Sequence, residues 1–470
     1  MATHFVNGDT DSRLSFWQRV REFAVQPSMI ETATARRRAG DWAGACAAAA
    51  VDVDLDLRSV ARAHGRSLAS RLRTDLRHLA PDLLRWHMPR IAPDGLLRPG
   101  LTLTLARYAT EGRDGVRPVH LVARTPPAWA DGGQRISLAL WDGSGTDAGP
   151  ARHPHPRPSR RFRLDLHRHL WDARSTGELR VRSGADLPPS ADGPPDTAGP
   201  WGAVPPGRRC AVGRWEAEAR ILLRAEGTGC ATVVVRVGSG RRLALELDAD
   251  ETLSAAAPRI VAVPVPTGGA ASALPVLPDA ATWVLPDLEL VRAGAIETDR
   301  LHPLVASALV PGQVPGARHR TPDPVAGPRV VDCRGARHRI GLVDGVLAAL
   351  DHEPAEIRRE ELLAALTGTP LPCFQVIDEA HRSPECLPDI RERLNHGDTA
   401  GALAAVEALL GPAARLRDGD LRDDLEAAAL RRVAHGLFRA GLDEPAPGRV
   451  APDPHRPREG RSRPRHATFD

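Results

Sequence analysis

Three groups of residues in this chain have types and spacings suited to chemistry. The first is Asp378-Glu379-Ala380-His381, which follows an apolar run within the string CFQVIDEAHRSPEC. In a large class of nucleotide-driven motors, an acidic box of this composition holds magnesium and positions water beside a phosphate. That box works only with a glycine-rich loop ending in Gly-Lys-Ser/Thr. The loop's N–H groups surround the phosphates, and its lysine neutralises their charge. This chain has no lysine, all 63 residues of its Lys+Arg total being arginine, and no arginine-substituted loop stands upstream. The box reads as a decoy, with Asp378 and Glu379 in the first turn of a short helix or in a loop, where the helix dipole favours acids.

The second group lies in RLDLHRHLWD. On a strand, Asp165, His167 and His169 would share one face, and two imidazoles beside a carboxylate begin a metal site. Against this, Phe162, Leu166 and Leu170 are spaced four apart, as on a helix, which would scatter the three residues into a solvated polar face. The third group is basic: Arg157, Arg160, Arg161 and Arg163 open an arginine-rich stretch over 151–185. Guanidinium forks grip phosphate or carboxylate, so this is an anion-binding candidate. Its competing explanation is an arginine-rich coding bias filling a linker. Aromatics make up 4% of the chain, with Tyr108 the one tyrosine. Stacking on bases is thus poorly supplied, and nucleic acid is not an expected partner.

Other chemistries are excluded or unsupported. Without an ε-amine there is no Schiff base and no Ser-Lys dyad. No G-x-S-x-G, no H-E-x-x-H and no G-x-G-x-x-G after a strand occurs. The cysteines (Cys46, Cys210, Cys230, Cys333, Cys373 and Cys386) are scattered without a C-x-x-C pair. That spacing argues against a structural zinc site of the usual kind. Cys373 precedes His381 by eight residues; a thiol–imidazole pair stays open there, although such a cysteine usually packs as a small apolar side chain. No cofactor is expected.

The elements that must position these groups follow from periodicity. At 470 residues the chain is expected to form about three units. Residues 1–91 read as helical, with Leu14, Trp17, Val20 and Phe23 near helical spacing and Ser28-Met29-Ile30-Glu31 patterned as a capping box. Over 92–143 the period becomes two, in LTLTLARY, RPVHLVAR and RISLALW, as in antiparallel strands. A Pro/Gly/Arg-rich linker with one short element is expected over 144–212. Residues 213–310 read as a β-rich, sandwich-like unit, with WEAEARILL as its first strand, and 311–328 as another linker. The C-terminal unit, 329–442, begins with a hairpin turning at Asp344-Gly345 and becomes helical, and 443–470 reads as a disordered tail.

Two segments echo one another. ARRRAGDWAGACAAA (Ala35–Ala49) and ERLNHGDTAGALAAV (Glu392–Val406) share a basic helix end, Gly-Asp, two residues and a small-residue run beginning Gly-Ala. Gly40 or Gly397 is expected in the left-handed position that ends one helix, with Asp41 or Asp398 capping the next. This resembles the turn of tetratricopeptide-type helical hairpins. The resemblance covers the turn alone, implies no chemistry, and lacks a tandem array.

No apolar run approaches the roughly 18 residues of a membrane helix, and the N-terminus lacks a basic region followed by an apolar stretch. A cytoplasmic location is expected. The whole reads as a multidomain α+β chain, with helical N- and C-terminal units flanking an antiparallel β-rich centre. Its expected role is that of a non-enzymatic interaction or accessory protein that binds other proteins. The rival readings are a metal-dependent enzyme at Asp165, His167 and His169, and anion or nucleic-acid binding through the 151–185 arginines.

Overall fold

The computed structural model describes residues 5–109, 118–143, 153–188, 209–237, 242–247, 259–263, 274–310, 329–333, 335–368 and 370–442. The expected linkers over 144–152, 189–208 and 311–328 and the tail beyond 442 lie outside them. The fold is α+β, with several small, mainly antiparallel sheets among helices. The described residues within 1–129, 135–316 and 438–470 form one compact unit, and those within 130–134 and 317–437 form another.

The first unit opens with α1 (Phe5–Arg19), continues as a π-helical turn through Val20–Ala24, and reaches α2 (Pro27–Arg38) and α3 (Trp42–Ala48). A short strand β1 (Val51–Val53) precedes α4 (Leu57–His64), α5 (Arg66–His78) and α6 (Pro81–His87). A two-residue pairing, β2 (Arg90–Ile91) with β3 (Leu96–Leu97), leads to β4 (Thr102–Tyr108), β5 (Val119–Arg124) and β6 (Ile136–Trp141). The main sheet runs β1-β6-β5-β4, with β1 parallel to β6 and the other pairs antiparallel. Leu68, Leu72 and Leu76, spaced four apart on α5, share a core with Leu103, Leu105, Leu121, Ile136 and Leu138 of the sheet. The helical stripe and the alternating strand residues thus meet as their periods require.

Residues 153–188, where one short element was expected within the 144–212 linker, pack into this core through Phe162, Leu164, Leu170 and Trp171. Short 3₁₀ turns at Leu164–Leu166, Arg168–Leu170 and Thr176–Glu178 lead into α7 (Leu179–Arg182). Trp171 is fully buried, and its indole N–H donates to the Leu164 carbonyl at 2.9 Å. Pro and Arg dominate this stretch, so it lacks a periodic apolar signal. A few large side chains hold it instead.

The next region also departs from expectation. WEAEARILL is not a strand but part of α8 (Val212–Glu226). Trp215, Ala219 and Leu222 fall at helical spacing and pack on one face of a three-stranded sheet. That sheet comprises β7 (Thr232–Arg236), β8 (Arg242–Glu246) and β9 (Arg259–Val263). Among the described residues this region forms a single antiparallel sheet backed by a helix. TWVLPDLELV likewise spans the end of α9 (Asp279–Thr282) and most of α10 (Pro286–Arg292), Pro286 taking the first helical position that suits it. The unit closes with α11 (Pro303–Leu309).

In the second unit, β10 (Arg329–Cys333), β11 (Ala336–Val343) and β12 (Val346–Ala349) form an antiparallel meander. Its second turn is the expected Asp344-Gly345, with φ of +52° and +77°, the two positive values of a type I′ hairpin. Then come α12 (Pro354–Thr367), α13 (Pro372–Arg382), α14 (Leu387–His396), α15 (Thr399–Leu410) and α16 (Asp420–Ala440).

Both Gly-Asp turns adopt the expected geometry. Gly40 and Gly397 have φ of +78° and +86°. Asp41 accepts from the Gly44 N–H at 2.8 Å, and Asp398 from the Gly401 N–H at 2.9 Å. A Cβ at Gly44 or Gly401 would collide with the capping carboxylate, which explains the second glycine of the shared pattern. Arg36 and Arg393 each hold the same aspartate at 3.0 Å from the preceding helix.

Candidate metal centre

The meander of the second unit places two ligands by register alone. Paired strand residues share a face and alternate residues return to it. Val331 pairs with His338 and Ile340 with Ala349, so Cys333, His338, Ile340 and Ala349 all project from one face. Between Cys333 and His338 the chain turns at Gly335, whose φ of +82° favours glycine. Helix α13 packs across this face through Cys373 and Ile377, four residues apart. His352 follows β12 and is buried beside the Phe374 ring.

Four side chains thereby converge: one ligand atom from each of Cys333, His338, His352 and Cys373 lies within 4.8 Å of every other. His338 Nδ1 is 2.7 Å from His352 Nε2 and 3.9 Å from Cys373 Sγ. Zinc bonds of about 2.0 Å to nitrogen and 2.3 Å to sulfur imply tetrahedral edges of about 3.3 to 3.8 Å. The histidine pair must open slightly and the Cys373–His338 pair close slightly to meet them. Two thiolates and two imidazoles are a donor set that zinc prefers.

The surroundings fit that assignment. Glu356 Oε2 lies 3.3 Å from His352 Nδ1, one turn into α12. A carboxylate there holds the proton on Nδ1 and turns the Nε2 lone pair toward the ion, the usual outer partner of a metal-bound histidine. Cys373 sits at the second position of α13, where the helix dipole favours a thiolate. Burial, then the neighbouring Cys333, push the Cys373 thiol up to about 11, so an ion must displace a firmly held proton. The local core contains six buried residues: Cys333, Ile340, Ala349, Leu371, Cys373 and Ile377. Two of those six are ligands. An ion would add to this small cluster, which Leu347 also links to the larger helical core around Ile390 and Leu410.

The scattered cysteines had argued against a structural zinc site of the usual spacing; these four residues converge without that spacing. The spacing is Cys-x₄-His across one hairpin turn, then His and Cys on either side of a helix. The legible signal was C-R-G-A-R-H, a glycine turn between a thiol and an imidazole at a strand end. The Cys373–His381 pair is not formed. Both lie on α13 two turns apart, about 12 Å along its axis.

The acidic box occupies the last turns of α13, not a first turn or a loop. Asp378 is held there by Arg382 at 2.8 Å and by Arg417. These arginines offset the unfavourable dipole of a helix end.

Asp165, His167 and His169 are placed in the first unit on consecutive 3₁₀ turns, not on a strand. Both Asp165 oxygens accept from Arg163 at 2.8 Å. His167 Nε2 lies 3.2 Å from Glu218 Oε2, which also accepts from Arg182 at 2.7 Å. The two histidine rings are near neighbours, with centroids 5.7 Å apart, but the carboxylate at hand is that of Glu218 rather than Asp165.

The candidate anion-binding arginines divide. Arg157 and Arg160 are exposed. Arg161 pairs with Asp279 at 2.6 Å, and Arg163 bridges Asp165 and Glu226. Farther along, Arg168 and Arg174 both hold Asp75 and the buried Asp172. Much of the basic stretch is thus neutralised within the fold.

No helix among the described residues is long and apolar enough to cross a membrane. No protein-family model, curated protein or solved structure matches the chain.

Proposed function

We propose that this chain is a non-enzymatic accessory protein whose second unit is a zinc-closed module that docks on another protein through α12. The carrying observation is where the ligands fall along the chain. His352 stands two residues before α12 and Cys373 six residues after it. An ion held by both therefore clamps the two feet of that helix. Between them, Leu362 and Leu366 are 68% and 87% exposed, and Leu363 joins them on the surface. They lie three to four residues apart and form an apolar stripe, the pattern by which a helix enters a groove of its partner.

Four protein ligands complete the tetrahedron, leaving no position for water or substrate, so the ion's role is structural. None of the six cysteines is paired in a disulfide, which suits a reducing compartment and the cytoplasmic location that belongs to this reading. The arginines of 153–188 are largely engaged by the protein's own carboxylates. This supports a protein partner over nucleic acid.

The experiment compares the full chain with its Leu362→Glu plus Leu366→Glu variant, both loaded with zinc, as bait in lysate from the source cells. Expected is a stoichiometric partner held by the parent and lost by the variant at unchanged zinc content. Equal recovery by both baits, or a parent recovered alone at native expression, would refute the docking role.

A further inference from the structure

In the first unit, guanidinium groups approach Asp279 from two directions. On one side, the Asp279 N–H donates to the Arg161 carbonyl at 3.0 Å, and Arg161 Nε donates to both Asp279 oxygens at 2.6 and 2.7 Å. Asp279 thus takes only the Nε edge, and both Arg161 Nη groups are left without an acceptor among the described residues. On the other side lies β7, where an isolated parallel bridge pairs Val234 with Val276. The Val234 N–H donates to the Pro275 carbonyl and the Leu277 N–H to the Val234 carbonyl, each at 2.8 Å. Parallel neighbours advance together, so Arg236 comes abreast of Pro278, beside Asp279. Arg236 in turn stands directly opposite Arg242 on β8.

Like charges facing each other across a sheet repel, and among the described residues no carboxylate forms an ion pair with Arg236 or Arg242. Burial, then the charges of Arg161 and Arg242, hold the Arg236 pKa below its usual value; Asp279 opposes them and Arg98 adds to them. Three of those four charges are positive, and Arg236 itself makes a fourth cation. The groups are within reach of a ligand: the Arg161 side chain is 30% exposed, and Arg98, Arg236 and Arg242 are half-buried. Arg98, Arg161 and Asp279 also belong to the wall of a cavity of about 180 Å³, together with Phe162 and Trp283. The surplus here exceeds one charge, so a carboxylate would leave it unmatched. A phosphate monoester carries about −1.5 to −2 at neutral pH and three strong acceptor oxygens, which guanidinium forks grip. The aromatic walls suit a flat apolar body attached to it.

We propose that Arg161, Arg236 and Arg242 form a binding site for the phosphate of a small aromatic phosphomonoester, its ring entering the cavity beside Phe162 and Trp283.

The test titrates the full chain at low salt with phenyl phosphate, inorganic phosphate, benzoate and an RNA oligomer without terminal phosphates, by calorimetry and tryptophan fluorescence. Phenyl phosphate is expected to bind tightest, inorganic phosphate more weakly and benzoate weakest. Arg236→Gln plus Arg242→Gln should weaken phenyl phosphate by about 10- to 100-fold, the worth of a hydrogen bond to a charged group. The same change relieves the cross-strand repulsion, so the melting temperature of the ligand-free chain should hold or rise. Benzoate binding as tightly as phenyl phosphate, no saturable response at millimolar phenyl phosphate, or full affinity in the double variant would each overturn the site. Inorganic phosphate binding as tightly as phenyl phosphate would overturn the aromatic body. The RNA oligomer, whose phosphodiesters carry one charge each, binding tighter than phenyl phosphate would overturn the small ligand. Should the double variant fail to fold, the phenyl phosphate-to-benzoate ratio on the unaltered chain still decides the matter.

Discussion

His338 Nδ1 and His352 Nε2 stand 2.7 Å apart, so that without an ion one ring donates its N–H to the other's lone pair. With an ion, both lone pairs turn to the metal and the nitrogens separate to about 3.3 Å. That contact is the geometry expected of two ligands of one ion, with His338 near the start of β11 and His352 just beyond the adjacent end of β12.

Metal content follows directly. The purified chain is expected to hold one zinc per molecule by elemental analysis. Cys333→Ser, His338→Ala or Cys373→Ser should each lose it under mild chelation that leaves the parent loaded.

Chelation should also unfold the protein locally. The meander and α13 share a core of six buried residues, two of them proposed ligands, whereas α5 and β5 rest on the large apolar core of the first unit. Hydrogen exchange on the chelated chain is expected to accelerate over 329–382 and stay slow over Leu68–Leu76 and Val119–Arg124. Uniform exchange before and after chelation would contradict a structural ion.

Glu356 acts through His352. Glu356→Gln keeps the shape but loses the carboxylate that orients the ring, and zinc affinity should fall about 10- to 100-fold. Competition with a chromophoric chelator reads this, and Glu356→Asp should recover part of the loss.

A separate prediction concerns Glu218. Burial alone would raise its pKa, but contacts with His167 and Arg182 prevail and hold it at about 2, against an ordinary 4.5. A depressed carboxylate stabilises the fold fully above its unfolded pKa and loses that contribution as pH falls toward the folded value. The Glu218 term should therefore disappear between about pH 4.5 and 2. Glu218→Gln should cost about 3–5 kcal/mol at neutral pH, because Arg182 and His167 lose their buried partner. Denaturant unfolding of the first unit would measure both effects.

The caps are testable too. Asp398→Ala removes the acceptor of the Gly401 N–H and the partner of Arg393. It should destabilise the second unit by about 0.5–2 kcal/mol. Asp41→Ala should do the same in the first unit.

What the sequence revealed was governed by distance along the chain. The Gly-Asp turns were legible because cap and donor are three residues apart, and Asp344-Gly345 because a two-residue turn carries its own φ requirement. WEAEARILL misled because glutamate and alanine alternate there, while the decisive helical set of Trp215, Ala219 and Leu222 is interrupted by charge. Arg168, Arg174 and Arg182 looked like a basic surface because Asp75 and Glu218, their partners, lie far away in sequence. The candidate metal centre was hidden for the same reason. Its ligands span Cys333 to Cys373, and only strand register and the placement of α13 unite them.

Zinc K-edge absorption on the purified chain reads the proposed ligand set most directly. The account expects a four-coordinate shell of two sulfurs at about 2.3 Å and two nitrogens at about 2.0–2.1 Å, reduced to one sulfur in Cys373→Ser. A shell of oxygen and nitrogen alone, or the same two-sulfur spectrum after Cys333 and Cys373 are both replaced, would contradict it.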